Sequence, residues 1–222
     1  MDPRILEARE LYSTYNGMAQ EGDYYRVFAL LDSIERIYKQ HDHYRNSFEL
    51  GVLDNNRAAA LLTLALHSET IAPAAHPFPG ISSDSLVNLA EVHVNRAIRT
   101  YTEWHDLYAS KSSRQILQTI EKEFLEGLEQ AEPGLRSKYL EARVDEIKVA
   151  VMENDRRLSV CFTNLGLVHR HMGDNESAVK QYEKAIELWD RNLEAENNLN
   201  RLLNRPLKKR NLIQKLFPPG RD

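Results

Sequence analysis

The chain has 222 residues, 42% of them hydrophobic and 28% charged, with a formal net charge of −4. That is enough to bury a core of domain size, and the charge balance gives no general attraction for nucleic acid. A single cysteine, Cys161, excludes an internal disulfide framework and a multi-cysteine zinc site.

Apolar periodicity predicts helix along the chain. A first segment, about 4–20, aligns Ile5, Ala8, Leu11, Tyr12, Tyr15 and Ala19 on one stripe. Gly22-Asp23 breaks it, and a second, about 24–41, carries Val27, Leu30, Leu31, Ile34 and Tyr38. A third is predicted over 53–70 on Ala58, Leu61, Leu62, Ala65 and Leu66. Pro73, Pro77 and Pro79 exclude helix next, and Ser82-Ser83-Asp84-Ser85 suits the cap of a new one. That fourth helix runs to about 109 through Leu86, Ala90, Val94, Ala97 and Trp104. A fifth covers 112–131 and stops at Glu132-Pro133-Gly134; a sixth covers 135–154. The seventh and eighth, 157–172 and 175–190, flank Gly173-Asp174. A short ninth covers 193–204, and Pro206 closes it. No segment alternates as a strand would.

Residues 159–192 form a 34-residue unit with Phe162, Leu165, Gly166 and His169 in its first half and Ala178, Tyr182 and Ala185 in its second. This pattern resembles the tetratricopeptide repeat family. Small Gly166 and Ala178 would let the paired helices approach, with Leu165 and Tyr182 filling the adjoining spaces. His169 stands where the family has a tyrosine, and Asp190 where it has a proline. Gly22-Asp23 lines up with Gly173-Asp174, which puts Val27, Leu31 and Ile34 in the places of Ala178, Tyr182 and Ala185. Tyr15 then replaces Gly166. Asn56-Arg57-Ala58 aligns with Asn164-Leu165-Gly166, followed by Ala90, Val94 and Ala97. Ala58 and Ala90 are 32 positions apart where Gly166 and Ala178 are 12 apart, so this unit carries an insertion. The pair at 112–154 shows little beyond helical periodicity.

The resemblance implies an all-α domain over 1–204, a right-handed superhelix of about four helix pairs. Its units are 4–41, 53–109 with the insertion at 71–84, 112–154 and 157–192, capped by 193–204. A basic tail, 205–222, follows; from 201 on, seven Lys and Arg stand against one Asp. First helices of such pairs line a concave wall. Here that wall would present Arg9, Tyr12 and Asn16, then Asn55, Asn56 and Ala59, then Thr163, Asn164, Leu167, Arg170 and His171. Asparagine carboxamides both donate and accept, so they suit the backbone of a protein or peptide partner. The family's clamp for chaperone tails needs lysine where Asn55 and Thr163 stand, and that specialisation is not expected. His76, Phe78 and Ile81 make the insertion either a lid or a flexible excursion.

No Gly-rich phosphate loop, HExxH or GxSxG motif occurs. His41 and His43, like His169 and His171, are two apart and point to different faces of a helix. The run from Glu121 to Glu132 reads as a solvated helix face or as an acidic surface for the chain's own basic tail. The expectation is therefore an adaptor with no catalytic role, cofactor or metal. Its competitors are a structural subunit of a complex, envelope-associated or not, and, ranked lower, a small-molecule binder beside the 71–84 loop. No run reaches the ~18–20 apolar residues of a membrane span. A cytoplasmic location is expected, or the periplasm or envelope had a leader preceded this sequence; self-association stays open.

Overall fold

Short polar side chains start most of the helices. In the computed structural model, which describes residues 2–67, 71 and 75–209, Asp2 caps a 3-10 turn at Pro3–Ile5. The turn leads into α1 (Leu6–Glu21). Asp23 accepts from the Arg26 N–H and starts α2 (Tyr24–Lys39). After a second 3-10 turn, Asp42–Tyr44, comes α3 (Phe48–Leu66). Ser82 caps α4 (Ser83–Tyr108), and a reciprocal Ser112–Gln115 capping box starts α5 (Ser113–Leu125). α6 (Pro133–Met152) opens on a proline, whose missing N–H would be unpaired in a first turn anyway. α7 (Asn154–His171) is followed by α8 (Asn175–Leu188), capped by Asp174, and α9 (Leu193–Leu202), capped by Asn192. Among the described residues there is no strand.

Two boundaries differ from expectation by five residues or more, both beside glycines. α3 starts at Phe48 rather than 53, with Gly51 inside the helix. α5 ends at Leu125 rather than 131, because Gly127 takes φ 83 and turns the chain. Glu132-Pro133-Gly134, expected to end a helix, begins one. The predicted residues 68–70 of the third helix, 72–74 of the insertion and 210–222 of the tail lie outside the described residues.

The chain divides into two compact units, one reaching to Asn154 and the other starting at Asp155. In the first, α1 packs on α2, α3 on α4 and α5 on α6, with further contacts of α2 with α3 and of α4 with α6. Val27, Leu31, Ile34, Leu64, Val94 and Ile147 are fully buried there. In the second unit α8 packs on α9, around Ala178, Tyr182 and Leu199.

The aligned Gly-Asp pairs form the same turn in both units. Gly22 (φ 75) and Gly173 (φ 80) adopt the left-handed conformation that a Cβ disfavours. The next aspartate then accepts from a backbone N–H three residues on, at 3.1 Å for Asp23 and 3.0 Å for Asp174. Close packing also recurs. A Cβ on Gly166 would lie 2.4 Å from the Tyr182 ring, and one on Gly51 2.8 Å from the Tyr101 ring. Gly51 precedes Ala58 by seven residues and Tyr101 follows Val94 by seven. The same glycine-under-tyrosine contact thus sits two helical turns farther from the loop in α3–α4.

Candidate partner-binding face

Within the first unit, α1 and α3 are joined where Asn56 Nδ2 donates to the Tyr12 hydroxyl at 3.1 Å. The Tyr12 and Tyr15 rings are parallel, with centroids 5.8 Å apart. Asn16, one turn beyond Tyr12 on the same face of α1, is exposed, while Asn55 and Asn56 are half-buried. Of the expected residues, Tyr12 and Asn56 are thus brought into contact, with Asn16 one turn from Tyr12 and Asn55 next to Asn56 in the chain. Arg9, one turn the other way, is drawn into a different structure: its guanidinium donates to Glu146 of α6 at 2.6 Å.

Glu146 belongs to a buried charge network that sequence reasoning missed. At its centre is Arg143 of α6, 1% exposed, which forks onto the Glu49 carboxylate of α3 and reaches Glu146 at 3.1 Å. Its Nε donates to His43 Nε2 at 2.9 Å. The guanidinium also lies over the Tyr44 ring, 4.4 Å from the centroid, with Phe48 and Trp104 farther out. Beside it, the Tyr44 hydroxyl donates to Asp2 at 3.0 Å, and Arg4 joins Asp2 to the Phe124 carbonyl. Burial and the adjacent Arg143 charge push the His43 imidazole down to about 3, so it stands neutral and accepts. Burial alone would raise the Glu49 carboxyl, but Arg143 holds it below the usual range. One signal for this centre was present in the sequence: Arg143 falls within the buried stripe of Leu140, Val144 and Ile147.

Through these contacts α6 meets α1 at Arg9 and the first turn of α3 at Glu49. The ion pairs fix that end of both helices and leave Tyr12, Asn16, Asn55 and Asn56 toward the other. A second tie lies across α3 and α4, where the His93 Nδ1 is 2.7 Å from the buried Asp54 carboxylate.

The second unit treats its expected residues differently. Thr163 is 2% and Asn164 7% exposed, so neither stands on an open wall. The Thr163 hydroxyl donates to the Ser159 carbonyl and accepts from Asn192 Nδ2, both at 2.9 Å. Asn192 in turn caps α9, so this polar knot attaches α9 to α7. Arg170 is exposed and His171 half-buried, in the last turn of α7.

The described part of the insertion rests on α2. The Phe78 ring meets Phe28 edge-on at 5.0 Å, and the Phe78 N–H donates to His76 Nδ1 at 3.1 Å. Ile81 is 41% exposed. Among the described residues no helix is long and apolar enough to cross a membrane. No model of a known family, no curated protein and no solved structure matches the chain.

Proposed function

We propose that this protein is an interaction module that holds an extended segment of another protein on the α1–α3 face, as tetratricopeptide-like arrays do. The observation that carries this reading is the Asn56–Tyr12 hydrogen bond between α1 and α3, beside which Asn16 and Asn55 follow on the same two helices. Carboxamides offer a donor and an acceptor to a backbone of any sequence. The parallel Tyr12 and Tyr15 rings add broad contact area at low entropic cost. Arg9 serves the scaffold in this reading. With the Arg143 network it presets the spacing of α1 and α3, which lowers the ordering cost of binding.

The test is a selection of peptides from a displayed random library against the full chain. Selected peptides are expected to lose at least about tenfold in affinity for N16A/N56A, in keeping with ~1.4 kcal/mol per decade. Loss of the Asn56–Tyr12 bond should lower the variant's melting temperature by only about 2–4 °C. Peptides that bind the variant as they bind the parent would place the site elsewhere.

A further inference from the structure

The C-terminal end of α9 sends the chain back along its own helix. Asn204 is left-handed at φ 53, the one non-glycine residue with positive φ among the described residues. Its N–H donates to the Arg201 carbonyl at 3.4 Å, and the Arg205 N–H to the Asn200 carbonyl at 2.8 Å. These are the two bonds of a Schellman stop, with asparagine where glycine is commonest. Pro206 follows and prevents a return to helix. The chain then runs beside α9 until Lys208 draws level with Asn197.

There one carboxamide reads a whole residue of backbone. The Lys208 N–H donates to Asn197 Oδ1 at 2.8 Å, and Asn197 Nδ2 donates to the Lys208 carbonyl at 3.0 Å. A neighbouring β-strand would make the same pair of bonds, and neither depends on which side chain is being read. Selection comes from the next position on the helix, because the Lys208 ammonium pairs with Glu196. Apart from these contacts the segment is exposed, Leu207 to 48%. Apolar burial, which would anchor a tail permanently, contributes little. A contact built from a few exposed polar bonds opens readily.

We propose that this edge of α9 is a docking site for an extended, lysine-bearing segment of another protein, and that residues 205–209 occupy it as an internal competitor. Asn197 supplies the backbone recognition and Glu196 the preference for a cation. The site belongs to the second unit and does not depend on the α1–α3 face. A tethered competitor acts at an effective concentration of roughly millimolar, so only a partner that exceeds it gains access.

The experiment titrates a fluorescent peptide of residues 204–210, Asn-Arg-Pro-Leu-Lys-Lys-Arg, into three full-length chains: the parent, K208P and K208E. Lys208→Pro removes the N–H and the ammonium from the competitor; Lys208→Glu repels Glu196. Both leave α9 untouched, which an unchanged helical circular dichroism spectrum checks. The peptide is expected to bind either variant at least about tenfold more tightly than the parent. Adding N197A to K208P should abolish that binding, and adding E196Q should weaken it severalfold. Absence of binding to both variants, binding that survives N197A, or equal affinity for the parent would each overturn the proposal. So would a parent chain that runs as a dimer in gel filtration and becomes monomeric as K208P, since the occupant would then be a second copy's tail.

Discussion

Hairpin α7–α8 and helix α6 are fastened by opposite means. In the first, the Tyr182 ring lies against Gly166, with Ala178 and Ala185 fully buried beside it. In the second, a buried guanidinium gathers Glu49, Glu146 and His43 from three parts of the chain. Close packing needs small residues at set intervals on facing helices, so it leaves a repeating trace in the sequence. An ion network needs one suitable side chain at each of several distant positions, and nothing repeats. In the 112–154 pair Ile116, Ile120, Phe124, Val144 and Ile147 are buried, but the charge network that ties α6 to α3 leaves no repeating trace.

Breaking the network should have the largest effect. Met at position 143 keeps much of the volume but strands the buried Glu49 carboxylate, at an expected cost of about 3–5 kcal/mol in chemical denaturation. R143M/E49L should recover most of that loss, since an apolar pair of similar volume removes the uncompensated charge. A double variant as unstable as R143M would mean that the rings around Arg143, not Glu49, dominate its contribution. Gly166→Ala probes the other fastening. Its Cβ would meet a rigid ring at 2.4 Å, so we expect about 3 kcal/mol, the upper end of the usual range for overpacking. Shortening the ring with G166A/Y182L should return part of it.

The same contrast explains what could be read from the sequence. Helices were legible wherever a polar cap preceded an apolar stripe, as at Asp23, Ser82 and Asp174. Glycine was ambiguous, because residue type alone does not say whether it turns the chain or admits a neighbour. Gly127 does the first and ends α5 early; Gly51 does the second and sits inside α3. Of the expected face, Tyr12 and Asn56 were placed by the repeat alignment, and the structure joins them. Thr163 is buried for a physical reason. The side chain that covers it, Asn192, arrives from 29 residues later in the chain. Arg9 was likewise claimed by Glu146, 137 residues away.

Acid should expose the network before it touches the glycine contact. His43 is held well below its unfolded value, to about 3, so the unfolded chain binds the extra proton as pH drops through the range near 6.5. The sign follows: His43's contribution is complete above about pH 6.5 and is lost progressively down to about 3. At pH 5 the loss is about 2 kcal/mol, from 1.36 kcal/mol per unit. His41, lowered by burial and by Arg4, adds a slope of the same sign. Below the unfolded carboxylate range the lowered Asp2 and Glu49 steepen the fall. Denaturation between pH 7 and 5 should therefore be markedly flatter for H43Q, whose carbonyl can still accept from Arg143. A parent slope that H43Q leaves unaltered would assign the acid sensitivity to other groups.

The smallest effect tests the packing argument from its opposite side. Gly17 lies inside α1, exposed, and an added Cβ would have no heavy atom within 4 Å. Nothing there uses the absence of a side chain, while the backbone freedom of glycine still favours the unfolded state. Gly17→Ala should therefore stabilise the protein by about 0.5–1 kcal/mol, the reverse of the same substitution at Gly166. Opposite signs from one chemical change would separate glycines kept for packing from those the helix merely tolerates. A loss of stability for G17A would mean that some surface closes over this turn of α1. Because Gly17 directly follows Asn16, that outcome would also narrow the space left for a bound segment.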